Sequence, residues 1–406
     1  MVRNLPVYLS ILTLFISSAF SGPTPPPYRT QIERYNGQKT GRYIVTLKEG
    51  ASTAAVINQL ATLVPGLANI VDTFNCAING FAAELPATAL ALLQTLPDVK
   101  TISEDGIMHA TDAISQPNAP WGLARLSSNE WSNNQNPSEL NFKYTYDHSA
   151  AGNGVDIYVV DTGVRVSHTD FGGRAQWGAN FAVGSKDEDV HGHGTHVAGT
   201  AAGTRYGVAK SAEIIAVKVL GDDGSGTTAG IVGGLNWVCL RSKQTGKPSV
   251  VNMSLGGGAS TPLDDATRSL VKNGVHVVVA AGNSNEDAQN TSPAHVEEAI
   301  TVGASTIEDK RAFFSNYGSV VDVFAPGLNI TSAWKDSDTA TFRASGTSMA
   351  SPHVAGLVAY LISQPDGNIA PEAMATKLKT LGRSDALADI PSGTANILAQ
   401  NEFGRA

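Results

Sequence analysis

The sequence predicts an α/β protein: a large layered domain, its mainly parallel sheet lying between helices, follows a small α+β unit. Three observations point there. Beyond Pro117, short apolar runs alternate with helix-length segments, the pattern of strands buried on both faces. Across residues 42–105 the order is strand, helix, strand, strand, helix, strand, a βαββαβ unit. The stretch around residues 107–117 has no strong pattern and suits a proteolytic boundary.

In the small unit, strands are expected at 43–47, 74–78, 80–85 and 99–102, with helices at 51–63 and 88–96. In the large one, strands are expected at 155–160, 213–220, 249–254, 275–281, 299–304 and 320–324. Helices are expected at 193–202, 227–242, 262–273 and 347–364. Catalytic groups in such folds gather at the C-terminal ends of the strands.

The chain of 406 residues suggests two or three folding units, and its formal charge of −8 argues against nucleic acid or an anionic membrane surface as partner. The first 21 residues read as a secretory signal. Arg3 supplies the positive start, residues 7–16 the apolar run, and Ala19-Phe20-Ser21 a small-x-small cleavage site. That run is too short to span a bilayer. Residues 22–28 are a Pro-rich lead-in. Cys76 and Cys239 lie on opposite sides of the expected boundary, so no internal disulfide would survive a cut there. Cys239, beside Trp237, Val238 and Leu240, is expected to be a buried, inert thiol.

Four short motifs carry chemistry. The strand at 155–160 ends in Asp161-Thr162-Gly163, a carboxylate at a buried strand's end. His191-Gly192-His193-Gly194-Thr195-His196 opens a helix with three imidazoles. The strand at 275–281 ends in Gly282-Asn283, a side-chain amide donor. Gly346-Thr347-Ser348-Met349-Ala350 delivers one hydroxyl at a helix N-terminus, where free N–H groups and the helix dipole favour developing negative charge. Each motif alone reads as a cap or turn. Together, Asp, His, Asn amide and Ser are the parts of acyl-transfer catalysis. The spacing His191-x-His193-x-x-His196 has the look of a zinc site, but no His-Glu-x-x-His is present.

These motifs resemble the three signatures of subtilisin-like serine proteases, and the chain order Asp161, His193, Ser348 is the subtilisin order. Ala119-Pro120-Trp121-Gly122-Leu123-Ala124-Arg125 and Phe314-Ser315-Asn316-Tyr317-Gly318-Ser319 bring the likeness closer to the secreted fungal proteinase K group. It covers everything from Asn118 onward, while residues 42–105 resemble the family's inhibitory propeptide, of ferredoxin-like α+β fold. The resemblance implies a three-layer subtilisin-like domain at 113–406, a propeptide at 22–112 and a signal peptide at 1–21. Ser348 would attack the scissile carbonyl, His193 would act as general base and then acid, and Asp161 would orient the imidazole. Asn283 and the backbone N–H of Ser348 would hold the oxyanion.

By the same resemblance, Gly224-Ser225-Gly226 and Ser254-Leu255-Gly256 would sandwich an extended peptide, with Ala280 and Gly282 lining the first specificity pocket. Main-chain pairing implies broad specificity, and the lack of charge in these segments favours apolar or aromatic P1 residues. Thr228 and Thr291 stand where the proteinase K pattern is aromatic. No catalytic cofactor is implied. A structural calcium is expected at Asp322 with the carbonyls of Glu297 and Ala299. Asn290 and Asn329 head sequons on loops and are expected to be glycosylated; the sequon at Asn252 falls in a buried strand.

The reading is a secreted, monomeric, broad-specificity serine endopeptidase, made as a zymogen that its own propeptide inhibits until the enzyme removes it near Ala113. A binding protein on a dead protease scaffold would not need Asp161, His193, Asn283 and Ser348 together. A lipase is disfavoured by the chain order and by Ala350 in place of the final Gly of Gly-x-Ser-x-Gly.

Overall fold

The computed structural model describes residues 29–35, 39–66, 68–106, 113–129, 131 and 135–405. The expected signal segment and residues 107–112, just ahead of the expected maturation site, lie outside them. The chain divides into two compact units, Met1–Ile107 and Met108–Ala406.

The first unit holds β1 (Ile32–Glu33), β2 (Lys39–Leu47), α1 (Thr53–Leu63), β3 (Asn69–Asn75), β4 (Asn79–Glu84), α2 (Ala87–Leu93) and β5 (Val99–Gly106). Its sheet runs β1-β5-β2-β4-β3, antiparallel except for the β1–β5 edge. Inward residues such as Val45, Phe81 and Ile102 pack on Leu60 of α1 and Leu93 of α2. Ser52 caps α1 by accepting from the N–H of Ala55. The β3–β4 pair differs from the sequence expectation, because the turn falls at residues 76–78. Ile78 made that segment look like strand, yet it is exposed at the turn, and Cys76 is exposed beside it.

The second unit begins with β6 (Ala113–Ala119), α3 (Trp121–Leu126), β7 (Phe142–Asp147), β8 (Asp156–Asp161), β9 (Ala175–Asn180), α4 (His193–Ala202), β10 (Glu213–Lys218) and α5 (Thr228–Thr245). There follow β11 (Ser249–Met253), β12 (Gly257–Gly258), α6 (Thr261–Lys272), β13 (His276–Ala280), β14 (Thr291–Ser292), β15 (Ile300–Ser305) and β16 (Val323–Pro326). The chain closes with β17 (Ile330–Ala333), β18 (Thr341–Ala344), α7 (Thr347–Ser363), α8 (Pro371–Leu381), β19 (Arg383–Ser384) and β20 (Ile397–Leu398). The main sheet runs β19-β20-β16-β15-β13-β11-β8-β10-β9 and is parallel except for the β19–β20 edge.

Side chains alternate across this sheet, as the strand period of two requires. Ile157 and Val159 of β8 join the core beneath α4 and α7, while Tyr158 and Val160 join the core beneath α5 and α6. Because both faces are covered, the strands read as unbroken apolar runs. Cys239 of α5 is half-buried at the margin of the second core, not fully buried as expected, because the helix turns its next residue, Leu240, to solvent.

Arg125, at the end of α3, shows how the Ala119–Arg125 motif is held. Its guanidinium is fully buried and forks onto Asp309, Nε to Oδ1 at 2.8 Å and Nη2 to Oδ2 at 3.1 Å, with Nη1 on the Ser128 carbonyl. Asp309 retains some solvent access. Losing the carboxylate therefore strands a buried cation, whereas losing the arginine leaves an anion that water can reach. Asp309→Asn is expected to cost about 3 kcal/mol, more than Arg125→Met. Urea unfolding of both variants, made in a Ser348→Ala background to prevent autolysis, checks the size and the order.

Candidate active site

The motif residues gather beyond the C-terminal ends of interior strands of the main sheet, β8 and β13 among them. Asp161 is the last residue of β8 and has no solvent exposure. Its Oδ1 accepts from the N–H of Thr162 at 2.7 Å and pairs with Nδ1 of His193 at 2.8 Å, while Oδ2 is buried without a partner. His193 is the first residue of α4. The close approach of that helix to the Asp161 turn requires glycine at 194, where a Cβ would stand 2.0 Å from the Gly163 carbonyl oxygen. Burial alone would lower the imidazole pKa, but the charge and hydrogen bond of Asp161, with the charge of Asp189, carry it above the ordinary 6.5. With Nδ1–H held by Asp161, Nε2 is the basic nitrogen.

Ser348 is the second residue of α7. Its Oγ donates to the Ser254 carbonyl at 3.2 Å, and Ser254 Oγ donates back to the Ser348 carbonyl at 2.8 Å. The hydroxyl thus rests on the Ser254 backbone, and catalytic contacts commonly tighten only with substrate bound. Asn283 Oδ1 accepts from both the N–H and the hydroxyl of Thr347, at 2.8 and 2.9 Å, which leaves its amide N–H groups to point elsewhere. A Cβ on Gly346 would lie 3.5 Å from Asn283 Nδ2 and 3.6 Å from Ser348 N, so the two donor nitrogens border the same small space.

Two adjoining clefts share residues 255–258. One, of roughly 500 Å³, is lined by Gly224, Ser225, Gly226 and Ser254, with His191 and His193 at one side. Thr228 lines it too, as do Leu220, Ile231 and Leu263, which periodicity alone marks only as core. The other, of roughly 390 Å³, takes Ala280, Gly282, Asn283 and Ser348 into its wall. Among the described residues that line it Glu286 is the one that is charged, and Asn290 and Thr291 line it too.

Several functional neighbours escaped the sequence reading. Buried Asn316 accepts from the N–H groups of Ser284 and Glu286 and donates to the Ala281 carbonyl, pinning the loop that carries Asn283. Asp189, in the Gly-rich approach to α4, could have been suspected from its place ahead of a helix start. Two nearby histidines are committed elsewhere. His196 is driven down to about 3 by burial and bonds the Ile330 carbonyl, and His353 is driven down to about 4 by burial and bonds the Met349 carbonyl. Among the described residues no three His, Cys, Asp or Glu side chains converge as a metal cluster.

The calcium expectation does not fit the residues around Asp322. Oδ2 accepts from the Thr301 N–H at 2.8 Å, and Oδ1 pairs with the ammonium of Lys379 at 2.6 Å. The positive charge opposite this carboxylate comes from α8, an element that the sequence reading did not foresee. Of the sequon asparagines, Asn290 is exposed and Asn329 half-buried. Asn252 is fully buried, bonded to Ser254 and Ser351.

A buried Asp161 paired with a partly exposed His193, a hydroxyl on a helix N-terminus and two donor nitrogens bordering one space, all on a parallel three-layer scaffold, define a serine hydrolase of the acyl-transfer class. The family model "Subtilase family" matches residues 152–391, and "Peptidase inhibitor I9" matches residues 42–111. The subtilisin-like serine protease Rho m 2.0101 of Rhodotorula mucilaginosa is 48% identical over 79% of this chain and 97% of its own length. Subtilisin-like protease 2 of Pseudogymnoascus destructans is 44% identical over 89% of each chain. The crystal structure of a cold adapted subtilisin-like serine proteinase superposes with a TM-score of 0.63 at 44% identity, covering 70% of this chain and 98% of that one. The chain belongs to the subtilase family: it is a subtilisin-like serine protease that carries an I9 inhibitor propeptide.

Proposed function

We propose that this chain is a secreted endopeptidase of broad specificity, favouring apolar or aromatic P1 residues, that matures by removing its own propeptide. The observation that carries the specificity is the pair of clefts sharing residues 255–258. The Gly and Ser residues at 224–226 and 254–258 that line them leave backbone open to pairing with the main chain of an extended substrate, whatever its side chains.

Ser348 attacks the scissile carbonyl while His193 takes its proton, and Asp161 stabilises the imidazolium that forms. The oxyanion moves to the space bordered by Asn283 and the Ser348 N–H. The imidazolium then gives its proton to the leaving amine, and water repeats the sequence to release the acid. The side chains and backbone N–H groups supply every step. The mature enzyme begins near Ala113, and glycans sit on Asn290 and Asn329.

Secretion from a fungal host, N-terminal sequencing and mass-spectrometric mapping of a casein digest test this reading. The expected result is a medium-borne enzyme starting within several residues of Ala113, with cuts mainly after bulky apolar residues. A chain retained in the cell with its first 112 residues intact, or cuts confined to charged P1 residues, would overturn it.

A further inference from the structure

The contacts beneath the catalytic pair converge on a carboxylate that takes no part in the triad. Asp189 is 4% exposed. Its Oδ1 accepts from Thr162 Oγ1 and from the N–H of Gly192, each at 2.8 Å. Its Oδ2 accepts from the N–H of Thr195 at 2.8 Å and from Thr195 Oγ1 at 2.6 Å. Gly192 is the residue before α4 and has no side chain to cap it, so Asp189 satisfies the first donors of that helix from outside. Thr162 Oγ1, besides donating to Asp189, accepts from the N–H of Gly194 at 2.9 Å. The Thr162 hydroxyl therefore ties the turn after Asp161 to the helix start at Gly194 directly and at Gly192 through Asp189.

We propose that Asp189, acting with Thr162, is a positioning residue for the Asp161–His193 pair, locking the turn that carries one to the helix that carries the other. The proposal rests on Asp161 and His193 having the roles assigned above. An ordinary helix cap would need only the N–H bonds. The bond to Thr162 runs across to the other catalytic element, and the Asp189 charge lies close enough to act on His193. The other charged or titratable groups around the imidazole are few. Asp161 faces it from β8; His191, with a ring centroid 6.2 Å away, faces it from the approach to α4, with Asp223 beyond. His196 of α4 is neutral, and the buried ammonium of Lys218, from β10, is held by the Thr162 carbonyl and Asp222.

An asparagine at 189 cannot reproduce this arrangement. Each carboxylate oxygen receives a backbone N–H, so the amide NH2 must face a donor in either orientation. Active-site-titrated Asp189→Asn is expected to lose about 10²-fold in kcat with KM little changed, the scale of a misaligned catalytic group. Its acid limb of kcat/KM should move to lower pH, because a negative charge that held the proton on His193 is gone. Thr162→Val should also lower kcat, and Thr162→Ser, which restores the hydroxyl, should recover it. A kcat within twofold of wild type and an unmoved acid limb, with only the melting temperature lowered, would reduce Asp189 to a structural cap and overturn the proposal. Should Asp189→Asn fail to fold, the Thr162 pair decides: Val low and Ser recovered supports it, and equal kcat overturns it. Ser348→Ala measured beside them separates the failures, since residual full activity there sinks the assignment of the triad itself.

Discussion

Ser348→Ala is expected to lower kcat on peptide substrates by about 10⁶, the scale on which removal of the nucleophile acts in a subtilisin. The substitution removes one oxygen and leaves the scaffold alone. Ser348 N, the Ser348 carbonyl bonded to Ser254, and the Asn283–Thr347 contacts all remain. Because the oxyanion donors survive, turnover should settle roughly 10³–10⁴-fold above the uncatalysed rate and not at zero. The same variant should accumulate with its propeptide attached, because self-cleavage needs the same hydroxyl. Casein hydrolysis and intact-mass measurement report the two losses together. Processing at the wild-type rate in the variant would mean that another protease makes the cut, and undiminished caseinolysis would remove Ser348 from the mechanism.

Asp161→Asn is expected to cost about 10⁴-fold in kcat. Oδ1 is shared by two donors, the Thr162 N–H and His193 Nδ1–H. An asparagine oxygen can take that place, so much of the geometry should persist. What disappears is the charge opposite an imidazolium that forms in the transition state, in a pocket where Asp161 has no access to water. The pH profile carries the sign. His193 must be neutral to act as base, and its pKa in the wild type lies above 6.5. Wild-type kcat/KM should therefore fall as pH drops through a midpoint above that value. In Asp161→Asn, burial is no longer opposed by the carboxylate, so the midpoint should shift downward while the plateau falls. An unchanged midpoint would mean that the acid limb belongs to a group other than His193.

The family was legible in the sequence because the candidate residues Asp161, His193, Asn283 and Ser348 each sit in a short Gly-rich segment at the end of a patterned element. Helix 193–202 appears at its expected bounds, and buried strands such as β8 and β11 announce themselves as apolar runs. Elements of low contrast did not. The hairpins β6–β7 and β17–β18 and the short helix α3 lack a period long enough to read, and Ile78 mimicked a strand while lying in a turn.

Pairings between distant residues were decided only by the tertiary structure. Lys379 meets Asp322, Arg125 meets Asp309, Asn316 braces the Asn283 loop, and Asp189 reaches the Asp161 turn through Thr162. Local pattern records which face of an element is apolar and where the chain turns. It holds no record of which polar side chain, tens or hundreds of residues away, will arrive opposite a buried charge. That partner is selected when the sheet order and the helix packing bring the two groups within bonding distance, and burial then makes the unpaired alternative too costly to persist.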